Sequence, residues 1–162
     1  MKPKLIQLLL LGLFAGASWA DEGAPETDRT WEYNGYYNPV AQSHTFMARI
    51  VDGESSLELR CSARDPNTQL RLRLPPPHNQ IPEIAVSFDT RKPLSMVWLP
   101  SVNGQSMRLS TEFIREFSRG LRAYNTLTVK VPGAESAEQS FDLSLRGSAK
   151  AITSLREHCR FI

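Results

Sequence analysis

The 162-residue chain contains 41% hydrophobic and 22% charged residues, a balance typical of a folded domain and unlike that of a disordered chain. Its 19 lysines and arginines against 17 acidic residues give a net charge of only +2, which excludes the strongly basic character of a nucleic-acid-binding protein. We therefore predict one domain with no nucleic-acid partner.

The first 20 residues have the organisation of a cleavable export signal. Lys2 and Lys4 precede an apolar run from Leu5 to Ala17, which is shorter than the roughly 20 residues that a transmembrane helix needs. Small residues then stand at the two positions that signal peptidase reads, so we predict a signal peptide at 1–20, cleaved after Ala20. The mature protein is expected in the periplasm, without stable membrane insertion.

Residues 21–30 are polar and lack a periodic apolar pattern, which predicts a flexible arm. The folded β-rich domain is predicted over residues 31–162. It opens on an aromatic group in which we expect Trp31 and Tyr33 to anchor one end of the core, with a ligand platform as the alternative. This group comprises Trp31, Tyr33, Tyr36 and Tyr37.

Apolar residues then recur at the period of two that is typical of strands with one buried face. The pattern predicts strands at 44–50, 57–61, 70–74, 84–88, 96–99, 127–131 and 141–145. The Asp52-Gly53 pair predicts a hairpin between the first two. Three prolines at 75–77 end the third strand, because proline lacks the backbone donor of a sheet, and a stiff loop follows to Pro82.

Two helices complete the prediction. A central helix is expected over Thr111–Ala123, where apolar residues recur at helical spacing behind the N-cap residue Ser110. A second helix is expected to open at Gly147-Ser148 and to bury one face, with His158 in its last turn. The buried face would carry Ala149, Ile152, Leu155 and Cys159. The predicted fold class is α+β, an antiparallel sheet or β-sandwich of seven or eight strands with a central and a C-terminal helix.

The chain has two cysteines, Cys61 and Cys159, which lie 98 positions apart. After export both would meet an oxidising compartment, where an even pair is most simply one disulfide. Both fall on the core-facing sides of their predicted elements, so the bond would staple the C-terminal helix to the sheet. A loop of this length corresponds to about 4–5 kcal/mol of stabilisation in the loop-entropy model.

Four residues are candidates for binding. Arg60, Arg71 and Arg73 fall on the polar faces of two neighbouring predicted strands and form a basic stripe. Arginines in such a stripe commonly only cover the solvent-facing side of a half-buried sheet. A specific binding surface is the alternative. Trp98 lies beside prolines, where it either fills the core, as we expect, or lines a groove.

The sequence contains no pattern that indicates catalysis, a metal or a cofactor. Its three histidines are dispersed without the spacing of zinc ligands, and it lacks both a phosphate-binding glycine loop and a nucleophile elbow. Asp89 and Asp142 each follow a strand phenylalanine, and we expect them to be solvated near arginines of the outer face. We predict that the protein is not an enzyme and holds no metal or cofactor.

A Leu-x-Leu-Arg-Cys strand at 57–61 and an Ala-Ile-x-x-Leu-Arg-x-x-Cys segment at 151–159 flank the predicted strands and central helix. In this order of elements the chain resembles the TagO/VasI family of type VI secretion accessory proteins over residues 57–159. The resemblance implies a non-catalytic accessory in the periplasm of a Gram-negative bacterium, with Cys61 and Cys159 as its structural pair. The implied partner is another periplasmic or secretion-machinery protein.

Two other functions remain open at this stage. An immunity or inhibitor protein would plug a toxin that acts in the same compartment. A small-ligand carrier would need a roomy apolar pocket bordered by Trp98 or by the tyrosines at 33–37.

Overall fold

The computed structural model describes residues 30–75, 84–101, 104–131 and 139–161. The predicted signal peptide, the predicted arm before Thr30 and the prolines from Pro76 to Pro82 lie outside the described residues. The described part contains ten strands and two helices, arranged as two antiparallel sheets. The α+β prediction is confirmed. The described part has more strands than the seven or eight that were predicted.

The strands are β1 (Glu32–Asn38), β2 (Ser43–Asp52), β3 (Ser55–Ser62), β4 (Gln69–Arg73), β5 (Ala85–Phe88), β6 (Leu94–Ser95), β7 (Trp98–Pro100), β8 (Met107–Leu109), β9 (Thr126–Val131) and β10 (Gln139–Ser144). The helices are α1 (Thr111–Ala123) and α2 (Ser148–Arg156). The six-stranded sheet has the order β1-β2-β3-β4-β8-β7, and the four-stranded sheet has the order β10-β9-β5-β6. Neither helix within the described ranges has the length and apolar character needed to cross a membrane.

The two sheets and both helices share one hydrophobic core. Alternation in β3 buries Leu57, Leu59 and Cys61 and leaves the residues between them only half-buried, as expected of a strand with one covered face. The hairpin predicted at Asp52-Gly53 is confirmed, because β2 pairs with β3 up to Asp52 and Ser55. Gly53 has φ +59°, a conformation that glycine adopts without strain.

Trp31 anchors one end of this core. Its side chain is buried, and its indole N–H donates to the carbonyl of Ser144 over 3.1 Å. Its backbone N–H donates to the carbonyl of Arg146 over 3.3 Å. These bonds join the start of β1 to the end of β10, and so they hold the two sheets together at this end.

The strand predicted at 96–99 is replaced by two shorter ones. β6 belongs to the four-stranded sheet and β7 to the six-stranded sheet, so the chain crosses between the sheets at Met96 and Val97. β8 was not predicted, because three residues are too few to show a period. It nevertheless supplies the strand that joins β4 to β7.

Helix α2 ends earlier than predicted. It stops at Arg156, so His158 and Cys159 lie beyond it, and Ala149 is exposed rather than buried. Ile152 and Leu155 are buried as expected. The physical reason is that the following backbone pairs with the segment before β4. The N–H of Arg160 donates to the carbonyl of Pro66 over 2.6 Å, and the N–H of Thr68 donates to the carbonyl of Arg160 over 2.8 Å.

Among the described residues neither Asp89 nor Asp142 forms an ion pair with an outer-face arginine, so that part of the prediction is wrong, whereas Asp142 is exposed as expected. The Asp89 carboxylate accepts backbone N–H bonds from Thr126 at 2.8 Å and from Asn125 at 3.1 Å. The Asp142 carboxylate accepts the hydroxyl of Thr128 at 2.6 Å. Both aspartates therefore tie neighbouring segments of the four-stranded sheet together.

Gly120 allows α1 to lie directly on β5. A Cβ atom at this position would overlap the ring of Phe88. We expect Gly120→Ala to lower the free energy of unfolding by up to about 2 kcal/mol, because overpacking costs about 1–3 kcal/mol and the gain in helix propensity offsets about 1 kcal/mol of that. Chemical denaturation followed by circular dichroism measures the change.

The exposed Arg115 of the same helix offers the control, since Arg115→Ala should leave stability within about 0.5 kcal/mol of the parent. The additional change Phe88→Leu should recover part of the loss caused by Gly120→Ala, because it shortens the side chain that the new methyl group meets. A Gly120→Ala variant more stable than the parent would contradict the close approach.

Candidate functional site

The predicted disulfide is confirmed. Cys61 in β3 is bonded to Cys159 after α2, with the two Cα atoms 5.7 Å apart. The bond attaches the segment that follows the C-terminal helix, rather than the helix itself, to the six-stranded sheet. Both cysteines are buried, so the bond is part of the core.

The outer face of the six-stranded sheet carries five arginines on four neighbouring strands. Strand alternation turns their side chains away from the core, because the residues between them are buried leucine, methionine, alanine and isoleucine. Strand pairing then brings them together across the sheet. We call this surface the arginine face. It comprises Arg49, Arg60, Arg71, Arg73 and Arg108.

Two glutamates on the same face offset only part of this charge. Arg60 lies 3.5 Å from Glu58, and Arg49 lies 3.9 Å from Glu32. Both contacts involve partly exposed side chains, where an ion pair contributes about 0–1 kcal/mol. Five arginines against two glutamates leave an excess of three positive charges on this surface.

Arg71 lies at the centre of the excess charge. It is the direct cross-strand partner of Arg108 on one side and of Glu58 on the other. Partial burial, and then the like charge of Arg60, lowers the pKa of the Arg71 guanidinium below its ordinary value. Arg108 lowers this pKa further, and Glu58 acts in the opposite direction. Like charges facing each other across a strand pair destabilise the free protein.

The structure brings the three predicted arginines together and separates them from Trp98. Arg60 and Arg71 are half-buried and Arg73 is exposed. Trp98 is 2% exposed and packs edge-on against Phe117, with ring centroids 6.1 Å apart. It therefore belongs to the core and does not contribute to the arginine face.

Two members of the arginine face were missed in the sequence. Arg49 lies at a polar position of the predicted strand 44–50, and the alternation alone could have found it. Arg108 lies in β8, whose three residues carry no detectable period. Arg49 and Arg73 also line a cleft of about 1080 Å³, together with Phe141 of β10.

A separate aromatic group at the start of β2 comprises Tyr37, His44, Phe46 and His158. Tyr37 is 55% exposed and contacts His44 edge-on, with centroids 5.3 Å apart. Phe46 stacks on His158 with centroids 4.0 Å apart. Among the described residues, no group of three or more histidine, cysteine, aspartate or glutamate side chains is placed to hold a metal ion.

Comparison with known proteins adds information on the fold. No protein-family model matches this chain, and no curated protein matches it. The crystal structure of invasion associated protein b from Bartonella henselae is similar, with a TM-score of 0.54 and 14% sequence identity. The similarity covers 82% of this chain and 95% of that chain. At this identity it shows a shared fold alone, and the resemblance to the TagO/VasI family stays a prediction.

Proposed function

We propose that this chain is a periplasmic accessory protein of a bacterial type VI-like secretion system that binds another protein and catalyses no reaction. The resemblance over residues 57–159 supports the secretion role. The disulfide supports an oxidising compartment, since such bonds persist in the periplasm and are rare in the cytosol. The proposed binding surface is the arginine face.

The observation that carries this proposal is the unbalanced charge around Arg71. Arg71 faces Arg108 across the strand pair, and partial burial, then Arg60 and Arg108, lower its pKa, so both neighbouring arginines oppose its charge in the free protein. An acidic protein surface would relieve this repulsion on binding. Arginine suits such a contact, because its planar group forms two parallel bonds to one carboxylate. The partner is therefore expected to present clustered aspartate and glutamate side chains.

The test removes the charge and keeps the shape of the surface. We expect the triple variant Arg60→Gln, Arg71→Gln, Arg73→Gln to reduce affinity capture of the partner from periplasm by about tenfold or more. Its melting temperature should stay within about 2 °C of the parent or rise, because repulsion between like charges is removed. Quantitative mass spectrometry of the captured material measures the first effect.

The matched control changes three exposed arginines outside the face, namely Arg115, Arg122 and Arg146, to glutamine. This control variant should capture the partner as the parent does. Unaltered capture by the face variant would exclude the arginine face. The identity of the captured protein separates the two functions, since an envelope component of a secretion machine supports an accessory and a toxin supports an immunity protein.

A further inference from the structure

A second surface, separate from the arginine face, has the form of a ligand site. A groove of about 620 Å³ lies between α1 and the turn that joins β5 to β6. This volume falls in the range of about 300–1,000 Å³ that is typical of small-molecule sites. All the residues that line it belong to the described part of the chain.

The floor of the groove is apolar. Because Gly120 has no side chain, α1 approaches β5 closely and the Phe88 ring lies directly beneath the helix. The Tyr124 ring stacks on Phe88 with centroids 5.5 Å apart. Leu94, which is 37% exposed, and Ala123 extend the apolar surface to the lip.

The rim of the groove is cationic. Arg91, Lys92 and Arg119 line it together with one acidic residue, Glu116. Within the described residues these three cations form no ion pair. Three cations against the one glutamate leave two positive charges in excess at the rim. The Arg91 guanidinium lies 5.3 Å from the centroid of the Tyr124 ring, a cation–π contact that leaves its charge uncompensated.

Hydrogen bonds hold the two sides of the groove in place without a ligand. Asp89 accepts the N–H groups of Asn125 and Thr126, which follow α1, and so it fixes the β5–β6 turn against the end of the helix. The N–H of Arg91 donates to the carbonyl of Phe88 over 2.9 Å and closes the turn itself. Arg91 and Lys92 on the turn are therefore held across the groove from Arg119 on α1 before any ligand arrives, which reduces the ordering that binding requires.

We propose that this groove binds a free amphiphilic carboxylate, such as a medium-chain fatty acid. The carboxylate lies among Arg91, Lys92 and Arg119, and the hydrocarbon chain lies along Tyr124, Ala123 and Leu94, above the buried Phe88 ring. An apolar floor with few charged groups at one rim matches a ligand that has one acidic group and an apolar body. This proposal does not depend on the arginine face or on the secretion role.

The test is isothermal titration calorimetry of the disulfide-bonded protein with dodecanoate below its micelle concentration. We expect one site per chain, and binding of uncharged dodecanol about tenfold weaker or more, because the alcohol lacks the charge that the rim cations attract. The double variant Lys92→Gln, Arg119→Gln should weaken dodecanoate binding by about tenfold and leave dodecanol binding unchanged.

The double variant Arg115→Gln, Arg122→Gln removes two charges from the same helix outside the groove and should bind dodecanoate as the parent does. The triple variant of the arginine face should do the same, which separates this result from the proposed function. A melting curve of each variant shows that it is folded. Equal affinity for dodecanoate and dodecanol, unchanged affinity in the groove variant, or binding to phosphatidylglycerol vesicles without binding to dodecanoate would overturn the proposal.

Discussion

Replacing Cys61 and Cys159 together by alanine is expected to lower the free energy of unfolding by about 4 kcal/mol. The bond closes a loop of 98 positions and so removes conformational freedom from the unfolded chain. It also holds the segment after α2 against β3, where both sulfur atoms are buried. Denaturant titration under non-reducing conditions, followed by tryptophan fluorescence, measures the loss.

Reduction of the parent protein provides the matched control. The parent with a reducing agent should unfold at nearly the same denaturant concentration as the double alanine variant, and the reducing agent should leave the variant unchanged. Equal unfolding midpoints of the oxidised parent and the variant would show that the bond does not stabilise the fold.

Phe117→Ala is expected to lower the free energy of unfolding by about 3–5 kcal/mol. The side chain is fully buried. Its ring contacts Phe88 at a centroid distance of 5.4 Å and Trp98 at 6.1 Å. Phe88 belongs to the four-stranded sheet and Trp98 to the six-stranded sheet, so this one ring of α1 joins both sheets. Its removal leaves a cavity at their junction that rigid strands cannot close.

Phe113, on the same helix, is the matched control for this substitution. It is only partly buried, so Phe113→Ala should cost less than Phe117→Ala. Thermal denaturation of the two variants beside the parent makes the comparison. A loss for Phe117→Ala no larger than that for Phe113→Ala would contradict the role of the ring as a joint between the sheets.

The strands of the core could be predicted because their inward positions hold a regular series of leucines. Leu57, Leu59, Leu70 and Leu72 are all fully buried, and the residues between them are polar. The disulfide could be predicted because two cysteines, in a chain with a predicted export signal, leave one intramolecular pairing. Both inferences use properties that are local in sequence or simple to count.

The centre of the arginine face could not be predicted in the same way. The cross-strand pair of Arg71 and Arg108 depends on pairing between β4 and β8, which are separated by β5, β6 and β7 along the chain. The end of α2 could not be predicted from the sequence for a related reason. The backbone of Arg160 donates a hydrogen bond to Pro66 and accepts one from Thr68. This pairing ends the helix, although the apolar spacing continues to Cys159. Contacts between distant segments overrode local preference in both cases.

The two short strands on either side of the crossing, β6 and β7, affect whether the sheets of two molecules can pair edge to edge. Both strands are outermost in their sheets and contain only two and three residues. Pro93 precedes the first of them, and Pro100, which has no N–H group, ends the second. An incoming chain would find few backbone donors and acceptors on this side. Short strands bounded by proline discourage intermolecular sheet extension at this border, which leaves the longer outermost strands β1 and β10 as the edges where another chain could pair.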